Sequence, residues 1–183
     1  MKKLRPRELR KRTPTPEEVA SIPRQPLILV LDNVLDTFNL GAMFRLADAV
    51  ATKKVYLCEE TPTPPNHRIH RSAVGTEAWV PWEYCASTVE LIQEWQESYA
   101  ALNVIAVEQH PRSVPYDHFI ASLPAAIVVG HETRGISKEV LALANVIVEL
   151  PMLGVTRSLN VVASAAVVVY KLLEGIDRPA SVA

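Results

Sequence analysis

Five short, largely apolar runs spaced along the chain limit its fold more than any other feature. Leu27–Leu31 (LILVL), Lys54–Leu57 (KVYL), Asn103–Val107 (NVIAV), Ala125–Val129 (AAIVV) and Val146–Leu150 (VIVEL) are short for buried helices and are bounded by polar or turn-forming residues. Apolar residues at successive positions put side chains on both faces of a strand, which suits the centre of a sheet covered on both sides. Helical spacing fills the intervals. Leu40, Met43, Phe44 and Ala47 share one face of a predicted helix over 40–50, Thr88–Ala100 is amphipathic, and Ser137–Leu143 predicts a shorter helix. The alternation runs from Leu27 to Gly175 and predicts an α/β domain with a mainly parallel sheet.

The remaining segments carry weaker signals. Thr15, Pro16 and Glu18 form a capping box with proline at the first helical position, so a short helix starts there and stops before Pro23. His67–Val74 predicts another short helix, ended by Gly75, and Glu77–Tyr84 an extended segment, with irregular loops over Glu59–Asn66 and Pro111–Phe119. The expected organisation is a basic arm and short helix over 1–25, one domain over 26–175 and a tail over 176–183.

A chain of 183 residues, 49% of them hydrophobic and 21% charged, can bury one substantial core. Its formal charge of -1 is unevenly placed. Residues 1–12 hold seven cations against Glu8, a formal +6, which leaves -7 on the remainder. A basic arm on an acidic body points to a polyanion reached through the arm; a solvated tail is the plainer alternative. Cys58 and Cys85 are too few and too far apart in sequence for a disulfide framework or a cysteine zinc site, which fits a reducing cytoplasm. The basic N-terminus lacks the apolar segment and cleavage site of a leader. The most apolar run, Leu159–Tyr170, is interrupted by Asn160 and Ser164 and falls short of the ~18 residues of a membrane span.

Three polar turns fall at predicted strand ends: Asp32–Asn39, Gly130–Gly135 and Pro151–Asn160. In open parallel sheets ligands bind outside the carboxyl ends of the strands, so these turns are expected to converge on one cleft. The last of them leads into a long apolar helix through Ser158, Leu159 and Asn160, an entry whose two polar residues packing alone does not require. No dinucleotide fingerprint and no phosphate loop occurs. Gly130, Gly135 and Gly154 permit close backbone approach to a ligand, or merely form tight turns. Arg45, Asn39, Glu132, Ser158 and Asn160 supply hydrogen-bonding capacity but no nucleophile and base, and Ser158 lacks the surroundings of a nucleophile elbow. His67 and His70 lie one helical turn apart, but no further ligand pattern accompanies them, so they read as surface histidines and no metal site is expected.

Asn33, Asn39, Gly41, Ala42, Arg45 and Ala47, then Gly130, Glu132 and Gly135, then Pro151, Met152, Gly154, Ser158, Leu159, Asn160 and Val161 resemble, in order and spacing, the three sequence motifs of the SpoU (TrmH-like) family of RNA ribose methyltransferases. Three motifs in order across Leu27–Leu173 are far more specific than any one of them. The resemblance implies a SPOUT-type α/β fold, a mainly parallel sheet flanked by helices with a C-terminal trefoil knot, and a homodimer. Periodicity alone would give an unknotted chain. The resemblance further implies that S-adenosylmethionine lies in the knot, its adenosyl part against Val107, Gly130, Gly135, Leu150, Met152 and Leu159. Arg45, Asn39, Glu132, Ser158 and Asn160 would face the methyl-transfer site, with Arg45 of one subunit brought toward the other's cofactor. Arg157, often acidic in the family, and Val162, often serine, depart from the pattern and bear on substrate choice.

The implied reaction is attack of a ribose 2′-hydroxyl of tRNA or rRNA on the sulfonium methyl. The family gives Arg45 a part in removing the hydroxyl proton. An arginine side chain stays cationic at any working pH, so the alternative is that Arg45 holds the adjacent phosphate and stabilises alkoxide charge while phosphate or water takes the proton. Glu132 would order the loop or Arg45, or simply cap the following turn. Two other classes stand beside this reading: a catalytically silent RNA-binding dimer of the same fold, and an enzyme that modifies a base or a small molecule.

Overall fold

Residues 3–99 and 101–174 are described in the computed structural model of the chain; Met1, Lys2, Ala100, Gly175 and the predicted tail 176–183 lie outside them. Two short helices, α1 (Pro6–Leu9) and α2 (Pro16–Ala20), precede β1 (Gln25–Asp32), α3 (Thr37–Ala49), β2 (Thr52–Cys58), α4 (His67–Ala73), β3 (Trp82–Cys85) and α5 (Thr88–Ser98). Then come β4 (Asn103–Val107), β5 (Val114–Pro115), β6 (Ala125–Val129), α6 (Lys138–Leu143), β7 (Val146–Glu149) and α7 (Val161–Leu172). The seven strands form one sheet in the order β3-β2-β1-β6-β4-β7-β5, with every pairing parallel. The expected parallel α/β architecture is therefore present.

The continuous apolar runs are explained by burial on both faces. Leu27, Leu29 and Leu31 of β1 point into a core shared with α3, α4 and α7, whereas Val30 joins a second core under α5 and α6. Each fully buried leucine of this kind stabilises the fold by roughly 2 kcal/mol. From β1 the chain runs outward through β2 to β3, and then fills the other side with β4 to β7. The direction reverses beside β1, and the register sets Val107, Val129 and Val148 at the carboxyl end of three adjacent strands. That edge is where such a sheet can hold a ligand.

Local chemistry moves several expected boundaries. Helix α3 starts at Thr37 rather than Leu40 because the Asp36 carboxylate accepts the Phe38 N–H at 2.7 Å. Asn39 therefore sits in the first helical turn, not in a loop. The expected extended segment 77–84 is instead a 3₁₀ turn, Thr76–Ala78, followed by a strand that begins only at Trp82. The 111–119 loop contains β5, which pairs with β7. Helix α4 ends as expected: Val74 and Gly75 both adopt left-handed backbone, with φ of 62° and 94°.

Cys58 and Cys85, distant in sequence, are register partners on β2 and β3, yet both are free thiols. Burial pushes the Cys58 thiol up to about 12, so it stays protonated and unreactive. Among the described residues no helix is long and apolar enough to cross a membrane, and no cluster of side chains could hold a metal ion.

Candidate active site

The three polar turns meet at the carboxyl ends of β1, β6 and β7, and Glu132 is what ties the first two together. Its carboxylate accepts N–H bonds from Leu35 at 3.3 Å and Asp36 at 3.1 Å, and the side-chain amide of Asn39 donates to it at 3.0 Å. Burial works to raise the Glu132 pKa, but the hydrogen bonds from Asn39 and from backbone N–H groups outweigh it and hold the carboxyl below its ordinary range. Glu132 is thus an anion spent on ordering the loop before α3. It does not cap the turn that follows it.

The link continues to the third turn. Asn160 Nδ2 donates to Asn39 Oδ1 at 3.0 Å, while Asn160 Oδ1 accepts the N–H groups of Val162 at 2.9 Å and Ala163 at 3.4 Å. Asn160 is therefore the N-cap of α7, and one amide both starts that helix and fastens it to α3. Asn39 uses both ends of its amide in this relay and is nearly buried. It joins Glu132 to Asn160.

Behind the relay lies a cleft of about 450 Å³. Its walls include all six residues expected to hold a cofactor: Val107, Gly130, Gly135, Leu150, Met152 and Leu159. Glu132, Ser158 and Asn160 line it too, and so does Arg157. Asn39 and Arg45 do not. Arg45 lies on an exposed face of α3, and its side chain makes no hydrogen bond or ion pair with another described residue of this chain. The structure thus gathers every expected site residue but Arg45 at one place.

Two of the three glycines have the tight geometry expected of them. Gly135 has φ of 67°, and a Cβ there would come 2.2 Å from Glu108 Oε2. A Cβ on Gly130 would come 2.5 Å from the carbonyl carbon of Gly135. Gly154 is a correction: nothing lies within 4 Å of a Cβ built there, and its φ is not positive. Its place in a polar turn after a strand made it look like the other two, but residues 153–160 around it are exposed.

Sequence reasoning passed over Glu108 and Gln109. Glu108 Oε2 accepts the Ile136 N–H at 2.9 Å and so braces the end of the Gly130–Gly135 turn. Gln109 Nε2 donates to the Arg157 carbonyl at 2.7 Å, holding the third turn near its end. Both directly follow β4 and line the cleft. The rule that ligands gather beyond strand ends could have found them.

The cleft can offer a ligand both apolar contact and hydrogen bonds: valine, leucine and methionine side chains share its lining with backbone of Gly130 and Gly135 and with Glu132, Ser158 and Asn160. Comparison with known proteins agrees. Residues 26–170 match the SpoU rRNA Methylase family. A tRNA (guanosine(18)-2′-O)-methyltransferase of Thermus thermophilus is 31% identical over 163 residues, 85% of this chain and 82% of the relative. A 23S rRNA (guanosine(2553)-2′-O)-methyltransferase of Bacillus subtilis is 29% identical over 168 residues, 87% of this chain and 66% of the relative. Among solved structures, an AdoMet-bound rRNA methyltransferase from Sinorhizobium meliloti superposes with a TM-score of 0.75 at 27% identity, over 92% of this chain and 60% of that one.

Proposed function

The chain belongs to the SpoU rRNA Methylase family, and on that premise we propose that it transfers a methyl group from S-adenosylmethionine to a ribose 2′-hydroxyl of tRNA or rRNA. The observation that carries this reading is the Glu132–Asn39–Asn160 relay at the rim of a cleft lined by the strand ends. When bound, S-adenosylmethionine supplies an electrophilic methyl on a sulfonium centre.

The chain's own residues divide the remaining work. Val107, Leu150, Met152 and Leu159 hold the adenosyl part beside the backbone of Gly130 and Gly135, two glycines that the tight turn itself requires. Ser158 and Asn160 stand at the rim and orient the ribose. Glu132 and Asn39 keep that rim assembled. Arg45, cationic and exposed, holds the phosphate beside the acceptor and stabilises alkoxide charge, and phosphate or water takes the proton.

Arg45 does not line its own chain's cleft, so this role requires a second copy. We read the active form as a homodimer in which α7 and α3 are covered and Arg45 reaches the other subunit's site. The apolar surface of α7 supports it: Val162, Ala166 and Val167 are only partly buried and Tyr170 is exposed. We also read the segment after β7 as threaded into a C-terminal trefoil knot, which accounts for β7 lying inside the sheet between β4 and β5 while the following helix packs back against α3. On this reading 26–175 is the methyltransferase domain, 1–25 an accessory arm, and the free thiols fit a cytoplasmic setting.

The test is transfer of labelled methyl into RNA from cells lacking the protein, followed by nuclease digestion and nucleoside mass analysis. A 2′-O-methylnucleoside is expected. Label on a base, or RNA binding without label, would reject the reaction. Arg45→Ala should keep cofactor binding and lower turnover by about 100-fold or more; full turnover would reject its role.

A further inference from the structure

Outside the cleft, helices α4 and α5, on opposite faces of the sheet, expose opposite charge. On the α5 side, Glu90, Glu94 and Glu97 are exposed at helical spacing. On the other side, α4 exposes His67, Arg68, His70 and Arg71, while its one large apolar residue, Ile69, is fully buried.

The basic arm lies beside α4. A Cβ on Gly75, at the end of α4, would come 2.5 Å from the Leu9 carbonyl oxygen, so the arm backbone fills space that only glycine leaves. Arg12 stands 5.5 Å from the centre of the Trp79 ring and pairs with Glu18. Arg5, Arg7, Arg10 and Lys11 remain exposed, and among the described residues neither they nor Arg68 and Arg71 make an ion pair.

Helix α4 is also locked to the site. Ser72 Oγ donates to the Thr37 carbonyl at 2.9 Å, and a Cβ on Gly41 would fall 2.0 Å from that same Ser72 oxygen. The two helices therefore cross in contact at the first turns of α3, where Asn39 enters the relay. A charge placed on α4 has a fixed position relative to the rim.

We infer that α4 and the arm seated beside it form one phosphate-binding surface, on which the backbone of the RNA substrate rests while its ribose enters the cleft. This rests on the reading of RNA as substrate and adds to it the helix that positions it. Unpaired exposed cations on a rigid helix release counterions when they neutralise phosphates. The helix shows no exposed large apolar side chain, which a membrane-surface helix would need. The acidic α5 face turns a polyanion toward the basic one.

The experiment uses the full chain with Arg68→Ala/Arg71→Ala, the charge-keeping Arg68→Lys/Arg71→Lys, and Lys54→Ala as a control on the α5 side, where Lys54 lies over Tyr56. Binding of total tRNA and of total rRNA is measured between about 50 and 200 mM salt, beside cofactor affinity and methyl transfer. The alanine pair should lower the salt slope by about 2, one for each phosphate that is no longer neutralised. It should raise KM for RNA while keeping kcat and cofactor affinity, and the lysine pair should restore most of the slope. Lys54→Ala should change nothing. If the alanine pair binds RNA with the native affinity and slope while the native chain methylates RNA, the surface is wrong and the function stands. If the slope falls as expected but the native chain transfers no methyl, the surface stands and the function falls. If the native chain binds neither RNA, both fall.

Discussion

The turn Gly130–Gly135 and the loop Pro151–Leu159 line the same cleft but are held in different ways. Glu108 braces the end of the turn through Ile136, and the Glu132 carboxylate ties it to the loop before α3. Its two glycines are hemmed in by backbone and carboxylate atoms. The loop is gripped only near its end, by Gln109 at the Arg157 carbonyl among the described residues, and Leu153 and Val155 are almost wholly exposed. One wall of the site is braced by the chain's own contacts at both of its ends, and the other is anchored where α7 begins. Rigidity in a binding wall lowers the ordering cost of binding, so the turn is where small changes should hurt most.

The largest effect is expected at Gly130. Its Cβ would meet Gly135 and Ile136 backbone at 2.5–2.6 Å, and backbone cannot step aside as a side chain can. Gly130→Ala should cost about 3 kcal/mol of stability, a fall in melting temperature of roughly 6–12 °C for a chain this size. It should also abolish measurable cofactor binding. A variant with native melting and native cofactor affinity in calorimetry would mean that the turn is softer than its contacts indicate.

Asn160→Ala comes next, because it touches the anchor rather than the exposed part of the loop. It removes the cap of α7, worth about 1 kcal/mol, and leaves the Asn39 carbonyl without its donor at a similar cost. Chemical denaturation should show a loss of about 2 kcal/mol. Asn160→Asp separates the two effects, since aspartate keeps the cap but cannot donate to Asn39. It should recover about half of the lost stability.

Glu132→Gln tests the electrostatic side of the turn. The folded carboxyl titrates below its unfolded value of about 4.3. Its contribution is therefore fully present above that value and is lost as pH falls through the lower folded value. The native chain should melt higher than the variant at neutral pH, and the difference should shrink below about pH 4. A difference that is constant with pH would assign the effect to altered hydrogen-bond geometry instead of charge.

How much of this was legible beforehand depended on where the signal is written. The strands were readable because burial on two faces forces apolar residues at consecutive positions. The meeting of the three turns followed from parallel topology. Asn39 in a helix was missed because Asp36, three residues upstream, competes for the backbone and starts α3 early. Glu108 was missed because its partner is 28 residues away, and a glutamate after a strand looks like any surface glutamate. Arg45 could be named from its motif, and its outward position on α3 follows from the apolar face that Leu40, Met43, Phe44 and Ala47 make on the other side of the helix. The three glycines looked alike because glycine carries no side chain that records what approaches it.

That last ambiguity sets the smallest prediction, at Gly154. A methyl group added there meets no atom within 4 Å and faces no left-handed backbone, so neither contact nor strain opposes it. Replacing glycine in an unstrained position also removes unfolded-state entropy, which favours the folded chain by about 0.4–1 kcal/mol. Gly154→Ala should leave the melting temperature unchanged or slightly raised, where Gly130→Ala lowers it. Cofactor affinity carries the sharper information. If the loop serves the cleft only through its anchored end, affinity should change by less than about twofold, the ~0.5 kcal/mol range of a neutral surface substitution. A large loss of affinity with normal melting would show that Gly154 must adopt another backbone conformation when the cofactor is held, and that this wall, unlike the turn, is completed by its ligand.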